Sequence, residues 1–141
     1  MISHRYKCVF IHIPKNGGAS IERMIWKPEE LTEENLWMGF KTLHRNAYQT
    51  GALQHLYASN VRKAVGAKIY EEYFTFSMVR NPWDKVISQF LYLQKRSDLR
   101  SFLQVPRHVS FKKYLETISK RPHVHWNPQV RFVQDENGEV M

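Results

Sequence analysis

The sequence predicts an α/β fold built around a parallel sheet. Two segments carry this. Lys7–Ile13 (KCVFIHI) is an almost unbroken apolar and β-branched run, as in a strand buried on both faces. Tyr73–Val79 (YFTFSMV) is a second aromatic, β-rich run. Each is followed by a turn and then by apolar residues at helical spacing, and strands alternating with helices pack as parallel βα units.

The elements follow in order. Pro14 stops the first strand, and Asn16-Gly17-Gly18 makes a loop. Ala19–Trp26 then carries Ile21, Met24 and Ile25 at helical spacing. Lys27–Asn35 is acidic and polar and reads as a surface loop with a helical turn. Leu53–Val65 reads as a helix that Gly66 caps. After the second strand come Arg80-Asn81, with Pro82 in a helix first turn. Trp83, Val86, Ile87, Phe90 and Leu91 then form one apolar helical face. Phe111–Ile118 is a further helix. Val130–Gln134 reads as a strand, and Asn137-Gly138 is a strong hairpin signal. Met141 falls barely into the returning strand, so the expectation is a C-terminally shortened chain. Its open edge, with Val130, Phe132 and Val133, would invite a second copy, giving a homodimer, or leave the last residues disordered.

At 141 residues the chain is one domain, 1–141. With 43% hydrophobic and 24% charged residues it belongs to the soluble globular class. No apolar run reaches the roughly 18 residues that span a bilayer. The polar stretch Met1–Lys7 leads straight into a strand, which argues against a signal peptide and for a cytoplasmic protein without an anchor. The single cysteine, Cys8, excludes an intrachain disulfide framework and a Cys-based zinc site. Lys and Arg number 21 against 13 Asp and Glu, a net +8 that attracts anions. The candidates are nucleic acid, an acidic membrane surface, an acidic glycan or a phosphorylated nucleotide. The basic residues are scattered rather than interleaved with aromatics in a stripe, and no recognition motif is present, which counts against nucleic acid.

Two segments concentrate anion-binding features. In Pro14–Ser20 the glycines let backbone N–H groups approach an anion closely, and the next helix aims its positive end at the same place. Lys15 adds a charge and Ser20 a hydroxyl. This is not the G-x-x-x-x-G-K-[ST] loop, because Lys15 precedes the glycines, and no G-x-G-x-x-G is present. In Val79–Ser88, Arg80 follows a strand at its carboxyl end, where ligands of open α/β sheets bind. Its guanidinium is a forked donor suited to phosphate oxygens, and Ser88 lies on the next helix away from Trp83 and Phe90. The alternative is an Arg80–Asp84 capping ion pair with a surface serine. Two such strand ends in one short domain point to a ligand with two phosphate groups.

Together FIHIPKNGGASI (Phe10–Ile21) and YFTFSMVRNPWDKVISQF (Tyr73–Phe90) resemble the cofactor-binding motifs of PAPS-dependent sulfotransferases, most closely the carbohydrate-type family 2 branch. QHLYASNVRKAVG (Gln54–Gly66) and HWNPQ (His125–Gln129) fit the same branch. The resemblance implies a three-layer P-loop-nucleotide-hydrolase-like fold with a parallel central sheet. It implies transfer of a sulfuryl group from 3′-phosphoadenosine 5′-phosphosulfate to a hydroxyl of a glycan or other hydroxylated acceptor, leaving adenosine 3′,5′-bisphosphate. Lys15, Asn16, Gly17, Gly18, Ala19 and Ser20 would surround the 5′-phosphosulfate, and Arg80 and Ser88 would hold the 3′-phosphate. Asn16 and Ala19 depart from the residues the family more often carries, and family members usually continue past the hairpin.

Such transfer needs a base for the acceptor hydroxyl, donors for the leaving phosphate and in-line alignment. Lys15 and the loop amides suit the leaving oxygen, so no metal is required, and the sequence offers no clear metal constellation. Histidine suits the base, with an ordinary pKa of about 6.5. His12 reads as a strand residue that packs or hydrogen-bonds, and His44, His108 and His123 have no motif around them. His55 resembles the histidine assigned as base in family 2. Glu22, one helical turn past the loop, is the alternative, or merely a favourable charge near a helix start. Trp126 and its neighbours either face the acceptor or pack the C-terminal hairpin. Competing readings are an ATP-dependent small-molecule kinase on a related fold, a nucleotide-binding paralogue without activity, and a basic nucleic-acid module.

Overall fold

The computed structural model describes residues 1–37, 53–135 and 137–140; His44 lies outside them. The chain is mixed α/β, organised on a three-stranded sheet. Its central strand is β2 (Cys8–Ile11), buried along its whole length. β1 (Ile2–Ser3) pairs with it antiparallel, and β3 (Phe74–Ser77) pairs with it parallel, from Cys8 opposite Phe74 to Ile11 opposite Ser77. The expected parallel pairing is therefore the β2–β3 ladder, and the sheet as a whole is mixed.

Successive β2 side chains leave on opposite faces, and both faces are covered. Val9 and Ile11 join a core with residues of α2 (Ala58–Val65), α3 (Ala67–Glu72) and Phe132. Phe10 joins Trp26 and Met1 on the other side, with Ile21 and Ile25 of α1 (Gly18–Ile25) packed against them. A separate cluster of Leu93, Leu99, Leu103, Val109 and Tyr114 unites α4 (Pro82–Lys95), α5 (Ser97–Leu103) and α6 (Phe111–Ile118).

Several expectations are corrected. The helix expected over Leu53–Val65 is a 3-10 turn at Leu53–His55 followed by α2. Gly66, at φ 87°, sends its N–H back to Arg62 O and separates α2 from α3. Among the described residues β3 lies at the edge of the sheet, with Phe74 72% exposed. On α4 Val86 and Phe90 of the expected face pack on the core, but the buried row is Lys85, Gln89 and Leu93, and Trp83, Ile87 and Leu91 face outward. A lysine can occupy the buried row because its ammonium donates to His125 O and Asn127 O, each at 3.1 Å. Burial lowers that ammonium's pKa to about 8. Among the described residues no ion pair joins Arg80 to Asp84; Asn81 Oδ1 caps α4 by accepting from Trp83 N at 2.9 Å.

The strand expected at Val130–Gln134 is not formed. Gln129–Phe132 is a 3-10 turn, and the hairpin reduces to one bridge, Gln134 to Val140, around a turn with Gly138 at φ 86°. Phe132 is fully buried with its ring 5.0 Å from that of Tyr57, and the adjacent Val133 packs on the same core. Neighbouring residues of a strand point to opposite faces, so only a helical turn sends both inward. The open strand edge that motivated a dimer is therefore not formed there. Phe132→Ala should destabilise the fold by about 3–5 kcal/mol, as for a core aromatic. Urea unfolding measures this, and a loss below about 1 kcal/mol would restore the exposed-edge reading.

Candidate active site

The site lies where β2 and β3 end side by side. Beyond β2 the chain runs through Pro14 into Lys15, whose φ of 68° is left-handed, and then Gly17, left-handed at 86°, which N-caps α1. A left-handed backbone is uncommon for a residue with a side chain and marks a conformation imposed by its surroundings. Between them Asn16 turns inward and is 7% exposed. Its Nδ2 donates to Met78 O at 2.8 Å and to Gln129 Oε1 at 2.5 Å. The same Gln129 amide accepts from Arg80 N at 2.9 Å and donates to Arg80 O at 2.7 Å. One side chain thus ties together the segments after both strands.

The resulting cleft encloses about 350 Å³. It brings together Lys15, Gly17, Gly18, Ala19, His55, Arg80 and Ser88. A second cavity of about 320 Å³ shares Lys15, Arg80, Ser88 and Tyr92 with it and continues along α4 to Lys95. Asn16 stands behind the lining as a clamp, and Ser20 is exposed outside it. The structure adds His12, Gln54, Tyr92 and His125 to the lining. Tyr92 was legible, since it lies one helical turn after Ser88 and so shares its face. Gln129 and His125 reach the site only through the tertiary fold.

The cleft is electropositive. Among the described residues none of Lys15, Arg80 and Lys95 is in an ion pair. Burial, then the charges of Arg80 and Lys95, hold the Lys15 ammonium below its ordinary pKa. The Arg80 guanidinium makes one long bond, to Lys15 O at 3.4 Å.

The histidines form a connected row. His55 is 8% exposed, and its Nδ1 lies 3.0 Å from His12 O. A carbonyl only accepts, so Nδ1 carries the proton and donates, and Nε2 of the neutral ring holds the lone pair. Burial, then the neighbouring His12 and His125 rings, hold His55 well below the usual histidine range. The ring centroids are 4.6 Å from His12 and 5.5 Å from His125. Burial, then His123 and nearby cations, bring His125 to about 3. Glu22 does not line the cleft; its Oε1 meets His12 Nδ1 at 2.7 Å, and its Oε2 accepts from Trp37 Nε1 at 3.4 Å.

The site is thus a basic cleft at adjacent parallel strand ends of an α/β domain, opened by a glycine-bearing turn into a helix. The chain belongs to the sulfotransferase family: the family 2 model, described as sulfotransferase family, matches residues 1–139. Sulfuryl transfer is the reaction that names this family. It is also similar to an uncharacterized protein of Archaeoglobus fulgidus, with 37% identity over 57 residues. That match covers 40% of this chain and 42% of the relative, less than half of either. No solved structure matches significantly. Among the described residues no helix is long and apolar enough to cross a membrane.

The two loop glycines should respond differently to the same change. A Cβ at Gly18 would overlap the His12 ring, which Glu22 and the stacked Phe10 ring hold in place. A Cβ at Gly17 meets nothing within 4 Å, and only its left-handed φ opposes it. Gly17→Ala should therefore cost about 1–2 kcal/mol. Gly18→Ala should cost clearly more, and should shift the His12 ring resonances. Thermal unfolding with histidine NMR measures both, and equal effects would show that the His12 ring yields freely.

Proposed function

We propose that the chain is a PAPS-dependent sulfotransferase, moving the sulfuryl group of 3′-phosphoadenosine 5′-phosphosulfate to a hydroxyl of a glycan or other hydroxylated acceptor. The observation that carries this reading is the convergence, in one cleft, of Lys15, the start of α1, Arg80, Ser88 and the lone pair of His55. The residues fit a ligand with two anionic ends. Lys15 and the residues Gly17 to Ala19 line the cleft together with Arg80 and Ser88, and the adjoining cavity carries the basic lining on along α4 to Lys95. Helices on both faces of β2 support a three-layer, P-loop-nucleotide-hydrolase-like reading of the fold. Resemblance to the carbohydrate-type branch supports the glycan.

The bound donor supplies an activated sulfuryl group, whose sulfur–oxygen bond to phosphate breaks as one to the acceptor oxygen forms. In this reading His55 Nε2 takes the acceptor hydroxyl proton as that bond forms. Lys15 and the first-turn amides of α1 stabilise the negative charge developing on the phosphate oxygen. Arg80 and Ser88 hold the second phosphate and so fix the donor along the cleft. Lys15 supplies the positive charge, and the reading includes no metal.

A thermal-shift titration tests the donor site. Adenosine 3′,5′-bisphosphate should stabilise the protein by about 2.7 kcal/mol at a hundredfold excess over its Kd, and adenosine 5′-monophosphate much less. Arg80→Ala should remove most of the difference. Equal stabilisation by the two nucleotides overturns the two-phosphate reading.

Kinetics test the base. His55→Ala should slow transfer by roughly 10²–10⁴ with nucleotide binding intact. His55 acts unprotonated, and its pKa lies well below the ordinary value. The rate should therefore hold as pH falls through about 6.5 and decline only at lower pH. An active His55→Ala enzyme would overturn the assignment of His55 as the base.

A further inference from the structure

The Lys15 ammonium sits 3.9 Å from the centroid of the Tyr92 ring, over its face. Its near charges, Arg80 and Lys95, are of its own sign. An aromatic face carries negative electrostatic potential and attracts a cation placed over it. The Tyr92 ring is itself held from two other directions. It lies parallel to the His125 ring, 7° apart in plane and 5.8 Å between centroids. Its hydroxyl accepts a hydrogen bond from Arg96 Nη1, and Arg96 is fixed by Asp98 through bonds of 2.8 and 2.5 Å.

We propose that Tyr92 is the positioning residue for Lys15, its ring face holding the ammonium in the cleft before the donor arrives. A lysine side chain has four rotatable torsions, and fixing them on binding lowers affinity. Here both ends of the stem are set beforehand. The left-handed backbone and the Arg80 contact to its carbonyl fix the base of Lys15, and Tyr92 fixes the tip. The requirement is for an aromatic face and not for a hydroxyl. Phenylalanine and tryptophan should therefore serve at this position, whereas leucine and methionine should not. The identity of the anion that Lys15 receives rests on the sulfotransferase reading; the role of Tyr92 toward Lys15 does not.

The test compares wild type with Tyr92→Phe, Tyr92→Trp, Tyr92→Leu and Tyr92→Met, the last keeping the series informative if Leu does not fold. The Lys15 pKa is followed by NMR of the ligand-free protein, and the Kd for adenosine 3′,5′-bisphosphate by calorimetry. The aromatic variants should keep both values. The non-aromatic ones should lower the Lys15 pKa by roughly half a unit, as loss of one cation–π contact implies. They should also raise Kd by roughly three- to tenfold, as loss of one preset side chain implies. Unchanged Lys15 titration in the folded non-aromatic variants overturns the proposal. So does a Tyr92→Phe protein that behaves like Tyr92→Leu, since the Arg96 bond would then be what matters. Arg80→Ala, run alongside, separates the two readings: if it leaves nucleotide binding untouched, the donor site fails, while the Lys15 titration still decides Tyr92.

Discussion

The amide of Gln129 is the contact on which the site depends. β2 and β3 are adjacent and parallel, so their carboxyl ends point the same way, but nothing in a ladder controls the chain after it leaves the sheet. Gln129 supplies that control. It accepts from Asn16 in the first segment and from the Arg80 amide in the second, and it donates to the Arg80 carbonyl. An amide can accept from and donate to one peptide unit at once, which a carboxylate or an amine cannot do. With Arg80 held by its own backbone N–H and C=O, its guanidinium is left to the cleft. The 3-10 turn at Gln129–Phe132 serves the same end, because burying Phe132 in the main core anchors the segment that carries the clamp.

The charges of the cleft are arranged for a guest. Three cations stand near one another, which costs repulsion in the empty protein, and the depressed Lys15 ammonium records part of that cost. A site meant only for stability would pair them with carboxylates. Glu22, the nearest carboxylate in sequence to the loop, instead pairs with His12 under the α1 turn, and Asp84, which lines the continuation along α4, is in no ion pair with the three cations among the described residues. An arriving dianion would relieve the repulsion, so binding would gain from a strain that folding has already overcome.

Local patterns made the strand–loop–helix units legible, and with them Lys15, Gly17, Gly18, Arg80 and Ser88. Within each unit these residues lie close together in sequence, Lys15 to Gly18 in one and Arg80 to Ser88 in the other, where strand hydrophobicity and turn residues speak directly. What escaped was set by long-range contact. Lys85 and Gln89 lie outside the apolar row expected of α4 but are buried, the Lys85 ammonium donating to carbonyls of His125 and Asn127 and Gln89 Oε1 lying 3.2 Å from His125 Nδ1. Trp83, Ile87 and Leu91 read as a core stripe but face outward, since the helix meets its core one row over. Val130–Gln134 has the composition of a strand, yet among the described residues it has no partner strand beyond one bridge from Gln134 to Val140, and its aromatic gains more by turning inward. In each case periodicity identified a face and the tertiary partner chose another.

The histidine row joins function to stability through one physical cause. His55 and His123 are buried and His125 is largely enclosed; burial is the leading reason that their pKa values fall, to about 4 for His123 and about 3 for His125. A ring kept neutral in the fold takes up a proton on unfolding once the pH is below the ordinary histidine value of about 6.5. The stabilising contribution is therefore whole above that pH and is lost as the pH falls, by about 1.4 kcal/mol per unit for each ring. The same depression keeps the His55 ring, whose Nε2 lies 3.5 Å from Gln54 Nε2, neutral at neutral pH. Acid thus acts on the proposed base and on the fold in the same direction. The bond from His55 Nδ1 to His12 O explains why the two cannot be separated: it orients the lone pair, and it can do so only while the ring stays buried against the end of β2.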